Sequence, residues 1–421
     1  MKSGVAVVGG GWAGCAAALT LAEAGVAVTL FEAGRTLGGR ARAVELEGQR
    51  LDNGQHILLG AYEQTLQLIA RLQPTAEGLW RLPLTLDQPP EFSLACPRLP
   101  APLHLLAGLL GAQGLSWRDK LGAARWAHGL LNNPDAADHL SVSQLTRSQP
   151  EKLNRLLWHP LCVSALNTPP ETASARVFRD VIRAAFGGRN HHSDLLLPRR
   201  DLTALFPAPA AARVVELGGE VRLSCRVTTL DAAADAVTVG TRDGSAAYSH
   251  VILAVAPQHL AGLAAAIPQL EPVLHGVAAY AYQPIATAYV QYDPSFRLHK
   301  PLFALANGPA QFVFDRGQSH GQPGLLALVA SAAMNLSADW VDQAAAQLQQ
   351  IARPGPPRWR RHIVEKQATY ACVPNMARPD VRTAHPRIFL AGDYIAGPYP
   401  ATLESATLSG VQSARALLEQ L

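Results

Sequence analysis

Three glycines at Gly9, Gly11 and Gly14 constrain this chain more tightly than anything else in it, because of what lies on either side of them. Val5 to Val8 is an unbroken apolar run and reads as a strand of a buried parallel sheet. The glycines turn that strand directly into an alanine-rich helix, expected over Ala13 to Ala24. Gly25 ends the helix, and a second apolar strand, Val26 to Phe31, delivers Glu32. Each part has its own physical task in holding a dinucleotide. Gly9 permits the tight turn, Gly11 lets backbone approach a pyrophosphate, and Gly14 allows the helix to pack closely on the strand. The helix opened by Trp12 and Ala13 presents unpaired N–H groups and the positive end of its dipole to phosphate. Glu32, with Ala33 beside it, is placed to accept from the ribose hydroxyls. A glycine-rich surface loop next to an acid would lack this strand–helix–strand context.

Glu32 is followed at once by Ala33-Gly34-Arg35-Thr36-Leu37-Gly38-Gly39-Arg40-Ala41. This doublet with its arginine resembles the signature of flavoproteins with the amine oxidase and carotenoid desaturase fold. The resemblance implies FAD, with Gly39 and Arg40 reaching its pyrophosphate, a task suited to a planar, permanently charged fork. At the far end, Arg387-Ile388-Phe389-Leu390-Ala391-Gly392-Asp393 reads as a short buried strand ending in Gly-Asp. Pro400-Ala401-Thr402-Leu403-Glu404-Ser405-Ala406 then opens a helix that runs nearly to Leu421. This resembles the closing FAD motif of the same family. It implies that Gly392 and Asp393 serve a ribityl hydroxyl and that backbone at Thr402 and Leu403 meets the flavin N1/O2 edge, where a helix dipole favours the anionic reduced flavin. A related branch tethers its flavin through a cysteine near Cys372, but a buried inert thiol is the expectation here, so FAD is held non-covalently.

With 421 residues and 48% hydrophobic content, the chain can bury two cores. The expected architecture is α/β. A Rossmann-like FAD-binding domain over 1–78, 198–262 and 381–421 interleaves with an α+β substrate domain over 79–197 and 263–380, which contains an antiparallel sheet and a helical insertion. Residues 62 to 72 read as an amphipathic helix, and Val251 to Val255 as a further buried strand of the FAD domain. From about Leu79 to Leu197 the pattern is helical and proline-punctuated. Segments 285–292, 311–315, 324–331 and 362–373 suit an antiparallel sheet flooring a substrate cavity. The family resemblance places adenine against backbone at Val227, and flavin against the loop containing Gly54, Gln55, His56 and Ile57.

A narrower resemblance spans the full length. Asp52-Asn53-Gly54-Gln55-His56, Gln311-Phe312-Val313-Phe314-Asp315-Arg316 and Ala391-Gly392-Asp393-Tyr394 with Pro400 to Glu404 are similar to the squalene-associated, desaturase-like flavoproteins, the hydroxysqualene dehydroxylases of bacterial hopanoid synthesis. Phe312 stands where Trp is usual and Ser405 where Gly is usual. The resemblance implies reductive removal of an allylic hydroxyl from a hydrophobic C30 isoprenoid, with association with the other enzymes of squalene synthesis. Such chemistry needs reduced FAD, a long apolar cavity and a group that assists the departing oxygen. His56, Asp52 and Tyr399 are the candidates for that last role. Asp52 has a plainer alternative as a loop-fixing carboxylate, His56 as a backbone-bonded ring, and Tyr399 as a packing aromatic. Carotenoid-type desaturation and amine oxidation remain open on the same fold, although Thr402 speaks against the latter, where an aromatic is usual. So does a non-catalytic isoprenoid binder, which the complete set of cofactor motifs disfavours.

A net charge of +4 without a basic cluster gives no sign of nucleic acid. Five scattered cysteines with no C-x-x-C pair suit a reducing cytosol and exclude a zinc site by spacing, and His191-His192 lacks acids at ligand spacing, so no metal is expected. No signal peptide precedes the first strand and no apolar run is long enough to span a bilayer, so a cytoplasmic location is expected. Residues 101–131 carry leucines with Trp117, Lys120, Arg125 and Trp126. That pattern fits either a helical hairpin with a buried apolar face or peripheral contact with the inner face of the membrane, and a water-insoluble substrate favours the second.

Overall fold

The computed structural model describes residues 4–73, 76–132, 139–186 and 188–421. Five strands form a wholly parallel sheet in the order Glu220–Arg222, Val28–Phe31, Val5–Val8, His250–Leu253, Ile388–Leu390. Val5–Val8 is central and buried at every residue, which is why its sequence does not alternate. Val5 and Val7 point into a core made with helices, whereas Ala6 and Val8 meet a three-stranded antiparallel sheet, Val227–Ala232, Val237–Thr241 and Gly244–Tyr248. The first helix runs Trp12–Glu23. The next strand begins at Val28 rather than Val26, because the Val26 N–H bonds back to the Leu21 carbonyl at 3.1 Å and closes the helix behind Gly25.

The alanines of that first helix are explained by its neighbour, the C-terminal helix Leu403–Leu418. A Cβ on Gly410 would lie 2.2 Å from the Ala13 carbonyl oxygen and 3.1 Å from the Ala16 methyl, so only small residues let the two helices approach. Ser409 and Ser413 turn their hydroxyls to the carbonyls of Gly392 and Leu390, pinning this helix to the last strand. Gly410→Val is therefore expected to overpack the contact and to cost about 1–3 kcal/mol, read as a lowered denaturant midpoint.

The second large sheet is antiparallel throughout, in the order Leu302–Ala304, Phe312–Asp315, Leu325–Ser331, Tyr282–Gln291, Trp359–Tyr370. The region from Leu79 departs from the helical expectation. It opens with three short strands, Leu79–Leu82, Thr85–Gln88 and Phe92–Ala95, before helices take over from Leu103–Gly111 to Ala175–Phe186. Pro83, Pro89 and Pro90 end strands there rather than helices, and the last two lie in the turn between a hairpin's strands. Leu79–Leu82 pairs with Leu195–Pro198, which also holds Leu58–Leu59, so a small sheet joins the two larger parts. Among the described residues, no helix is long and apolar enough to cross a membrane.

Candidate functional site: a dinucleotide cradle joined to an apolar cavity

The glycine-rich turn is as tight as its spacing demands. Gly9 sits at φ +110°, and a Cβ there would fall 2.5 Å from the Ala254 carbonyl oxygen. A Cβ on Gly14 would fall 1.8 Å from the Gly9 carbonyl, which fixes how closely the helix lies on its own turn. Gly11 differs, since a Cβ there would meet only the Gly39 Cα, at 3.9 Å. The two glycine motifs thus lie against each other backbone to backbone, joined by a parallel bridge between Gly11 and Gly38. Glu32 ties them together, accepting from the Gly10 N–H at 2.7 Å and the Gly34 N–H at 2.6 Å. Each carboxylate oxygen keeps a lone pair for a ribose hydroxyl. The Glu32 carbonyl accepts from Cys225, which brings the buried start of the strand at Val227 alongside, while Ala33 is exposed next to it. Trp12 is buried and anchors the turn by donating its indole N–H to the Ala41 carbonyl at 3.0 Å.

Arg40 joins the two ends of the chain. Its guanidinium donates to the Asp393 carboxylate at 2.6 Å and to the Ala368 carbonyl at 2.7 Å. Tyr282 and Tyr394, both electrostatically coupled to Asp393, have buried hydroxyls without hydrogen-bond partners among the described residues. Unsatisfied buried donors beside an ion pair are what a polar ligand completes. With the side-chain-free backbone that Gly11 and Gly39 present together, they fit the diphosphate and ribityl portion of a flavin dinucleotide. Tyr394 stands in the Ala391-Gly392-Asp393-Tyr394 motif, whereas Tyr282 belongs to none and carries no sequence signal. Cys372 is fully buried, and burial pushes its thiol up to about 12.

The loop at 52–57 turns at Gly54, with φ +92°, and is fastened on three sides. The Asn53 side chain donates to the Arg40 carbonyl and to Glu365, each at 3.0 Å. The Gln55 N–H donates to Thr287 Oγ1 at 3.3 Å, and the Tyr289 hydroxyl donates to the Asp52 carbonyl at 2.9 Å. Below them lies Arg316, 1% exposed, whose Nη1 donates to Asp52 Oδ2 at 3.2 Å and to Gln55 Oε1 at 2.8 Å. Asp52 Oδ1 accepts from the Leu202 N–H at 2.7 Å, so both of its oxygens are committed inside the fold. Burial pushes the Asp52 carboxyl above the usual range, against the opposing pull of Arg316 and the Leu202 N–H. His56 shares 2.9 Å between its Nδ1 and the Gly54 carbonyl, which assigns the proton to Nδ1 and leaves Nε2 without a partner among the described residues. Burial pulls the ring below the ordinary histidine value, partly offset by the Gly54 carbonyl and Asp52. Ile57 packs into the core of the antiparallel sheet.

At the other rim, Thr402 caps the C-terminal helix by accepting from the Ser405 N–H at 3.1 Å, and Leu403 is its first residue. The Ser405 hydroxyl donates to the Asp393 carbonyl at 3.2 Å, so the residue that replaces the usual glycine turns its oxygen into the fold. Tyr399 packs edge-on against Tyr62, with ring centres 6.0 Å apart, and burial pushes its phenol up to about 12.

A cavity of about 640 Å³ lies between the helical insertion and the antiparallel sheet, lined by Leu86, Leu156, Val163, Leu305 and Phe312 among others. Phe312 pairs with Val329, and Val329 pairs with Thr287, which places all three in one row and on one face. Two strand spacings, about 10 Å, therefore separate the cavity wall from the residue that holds Gln55. The sequence flagged both ends of this row but not the register that aligns them.

The whole chain, 100% of it, aligns with 99% of the hydroxysqualene dehydroxylase of Sinorhizobium fredii at 27% identity. It also aligns with the hydroxysqualene dehydroxylase of Rhodopseudomonas palustris at 28% identity, over 99% of each protein. Among solved structures, cyclohexylamine oxidase from Brevibacterium oxydans superposes with a TM-score of 0.71 at 16% identity, covering 100% of this chain and 99% of the other. That likeness is one of fold. The family model described as flavin containing amine oxidoreductase matches residues 12–418, so the chain belongs to that family and is a flavin-dependent oxidoreductase.

Proposed function

We propose that this protein binds FAD non-covalently and reductively dehydroxylates hydroxysqualene to squalene. The observation that supports the reading is the row Phe312–Val329–Thr287, which sets a wall residue of the cavity two strand spacings from the threonine that holds the histidine-bearing loop. Gly11, Gly14, Gly39 and Arg40 would hold the diphosphate, Glu32 the ribose, Asp393 the ribityl chain, and backbone at Thr402 and Leu403 the flavin edge. When bound and reduced, FAD supplies the hydride that replaces the departing hydroxyl. The chain's own residues then have three tasks: to seat a C30 chain, to keep water out and to assist loss of the oxygen.

The three candidates for that assistance are unequal. Asp52 is committed to Arg316 and Leu202 on both oxygens, and we assign it to holding the loop. Tyr399, with its phenol pushed up to about 12, is a weak acid. His56 remains. Its Nδ1–H is fixed on Gly54, so in the imidazolium the second proton sits on Nε2, and its lowered value makes that proton readily given up. The oxygen leaves as water once it receives this proton.

Anaerobic incubation of the protein with hydroxysqualene and chemically reduced FAD should yield squalene. Substrate-dependent reduction of oxidised FAD, with a new double bond in the product, would instead make this a desaturase. Cofactor binding has its own test. Arg40→Ala removes a charge-assisted contact worth about 1.5–3 kcal/mol, so FAD affinity should fall about tenfold or more, measured by quenching of flavin fluorescence. Unchanged retention would remove Arg40 from the site. Acid precipitation should release all the flavin, and colour staying in the pellet would contradict non-covalent binding.

A further inference from the structure

Two consecutive helices, Leu103–Gly111 and Trp117–Asn132, each pack one face onto the fold and leave large apolar side chains on the other. In a surface helix of a globular protein the apolar stripe faces the core and the polar residues face water. Here the first helix buries His104 and Gly108. His104 Nε2 hydrogen-bonds Ser193 Oγ at 3.0 Å, and a Cβ on Gly108 would meet Cys96 Sγ at 2.7 Å, so this face is pressed closely onto the fold. The face left outside carries Leu103, 54% exposed, and Leu106, 44% exposed, one turn apart. The second helix buries Ala123 and Leu130, packs Trp126 and Ala127 against the core, and likewise leaves apolar residues outside. Lys120 is buried and donates to the Leu110 carbonyl at 2.7 Å, capping the C-terminal end of the first helix, while Trp117 and Leu121 stand outside at 65% and 57% exposure. Trp117 and Leu121 are four residues apart and therefore share a face.

The surroundings of this patch are cationic. Arg98, Arg118 and Arg125 are exposed in the same segment and form no ion pair among the described residues. Asp119, the one acid between Arg98 and Asn132, is occupied with Ser116. Leucine and an exposed tryptophan flanked by unpaired arginines match the interface of an anionic bilayer, where apolar side chains enter the acyl boundary and cations meet headgroup phosphates. The inner faces of both helices belong to one core cluster with Leu86, Leu156, Ala304 and Phe312. Three of these four, Leu86, Leu156 and Phe312, were placed above in the cavity wall, and Ala304 lines it too. The patch is thus separated from the cavity by a single layer of helices.

We infer that the hairpin of Leu103–Gly111 and Trp117–Asn132 is a docking surface for anionic lipid bilayers, seating Leu103, Leu106, Trp117 and Leu121 in the interface while Arg98, Arg118 and Arg125 engage headgroup phosphates. The inference rests on these exposed apolar residues and the unpaired arginines beside them, and stands whichever isoprenoid the cavity accepts. It is tested with the full-length flavoprotein and sucrose-loaded vesicles of equal parts phosphatidylcholine and phosphatidylglycerol. The wild type should sediment with these vesicles and less with pure phosphatidylcholine. Leu103→Asp/Leu106→Asp/Leu121→Asp changes exposed side chains and spares Trp117, over whose ring the Lys120 ammonium lies at 4.7 Å, and it should keep the flavin spectrum and melting temperature while losing vesicle binding tenfold or more. Arg98→Glu/Arg118→Glu/Arg125→Glu, an independent variant that leaves the apolar face intact, should lose the preference for phosphatidylglycerol. Equal sedimentation of wild type and either variant with the mixed vesicles would overturn the inference. So would a wild type that ignores vesicles but forms a dimer abolished by the aspartate variant, because the face would then bind protein.

Discussion

His56→Ala is expected to lower turnover of the isoprenoid alcohol by about two to four orders of magnitude while leaving FAD affinity nearly unchanged, the range set by loss of a general acid. The separation of the two effects follows from how the loop is held. Asn53, Gln55 and the Asp52 carbonyl fasten it through groups other than the His56 ring, whose own contact is to Gly54 within the same loop. Removing the imidazole therefore takes away the Nε2 site without releasing the loop. The pH profile distinguishes a proton donor from a ring that only packs. Burial pulls His56 below its ordinary value, so the imidazolium accumulates as pH falls and activity should rise on the acidic side of neutrality. A His56→Ala variant with wild-type turnover, or a wild-type profile flat from neutrality downward, would remove His56 from the proton transfer. The role would then pass to a cavity water.

The dinucleotide half of the site was legible because its chemistry demands backbone geometry that few residues supply. Gly9 and Gly14 stand where a Cβ would collide with a carbonyl, so local sequence dictates them, and Val5–Val8 appears at its expected bounds. Gly10 escaped notice although a Cβ there would strike Leu37 and Glu32, because its constraint comes from side chains far along the chain. Four of the five strands of the antiparallel sheet are legible within a few residues, but not the edge strand Leu302–Ala304 or the strand order, since pairing across long loops leaves no local signature. For the same reason Tyr282 and the alignment of Phe312 with Thr287 are not readable without the register. Lys120 shows the limit of pattern reading. Its place in the sequence suits a flanking cation, whereas the structure turns it inward to cap a helix. The leucines around it cannot be assigned to core or surface by periodicity alone, because these helices carry apolar residues on both their buried and their exposed faces.

Arg316→Leu should destabilise the protein by about 3–5 kcal/mol, since it leaves the Asp52 carboxylate buried without its counter-charge. Asp52 is 1% exposed and cannot recruit water without opening the fold, and Gln55 Oε1 loses its donor in the same change. The deficit should depend on pH in a definite direction. Burial already holds the Asp52 carboxyl above 3.8 in the folded protein, and loss of Arg316 raises it further. Where the folded state holds a proton that the unfolded state has released, stability increases as pH falls. The gap between Arg316→Leu and wild type should therefore narrow as pH is lowered from neutrality toward the raised folded value, read as converging denaturant midpoints. Pairing the change with Asp52→Leu removes the stranded charge. The double variant should recover much of the loss in stability, as buried ion pairs replaced by apolar residues commonly do. It should not recover the loop, because the Leu202 N–H and Gln55 would still lack partners, and turnover should stay low while the melting temperature rises. A double variant as unstable as the single one would show that Arg316 acts chiefly through Gln55 and Gln322 rather than through Asp52.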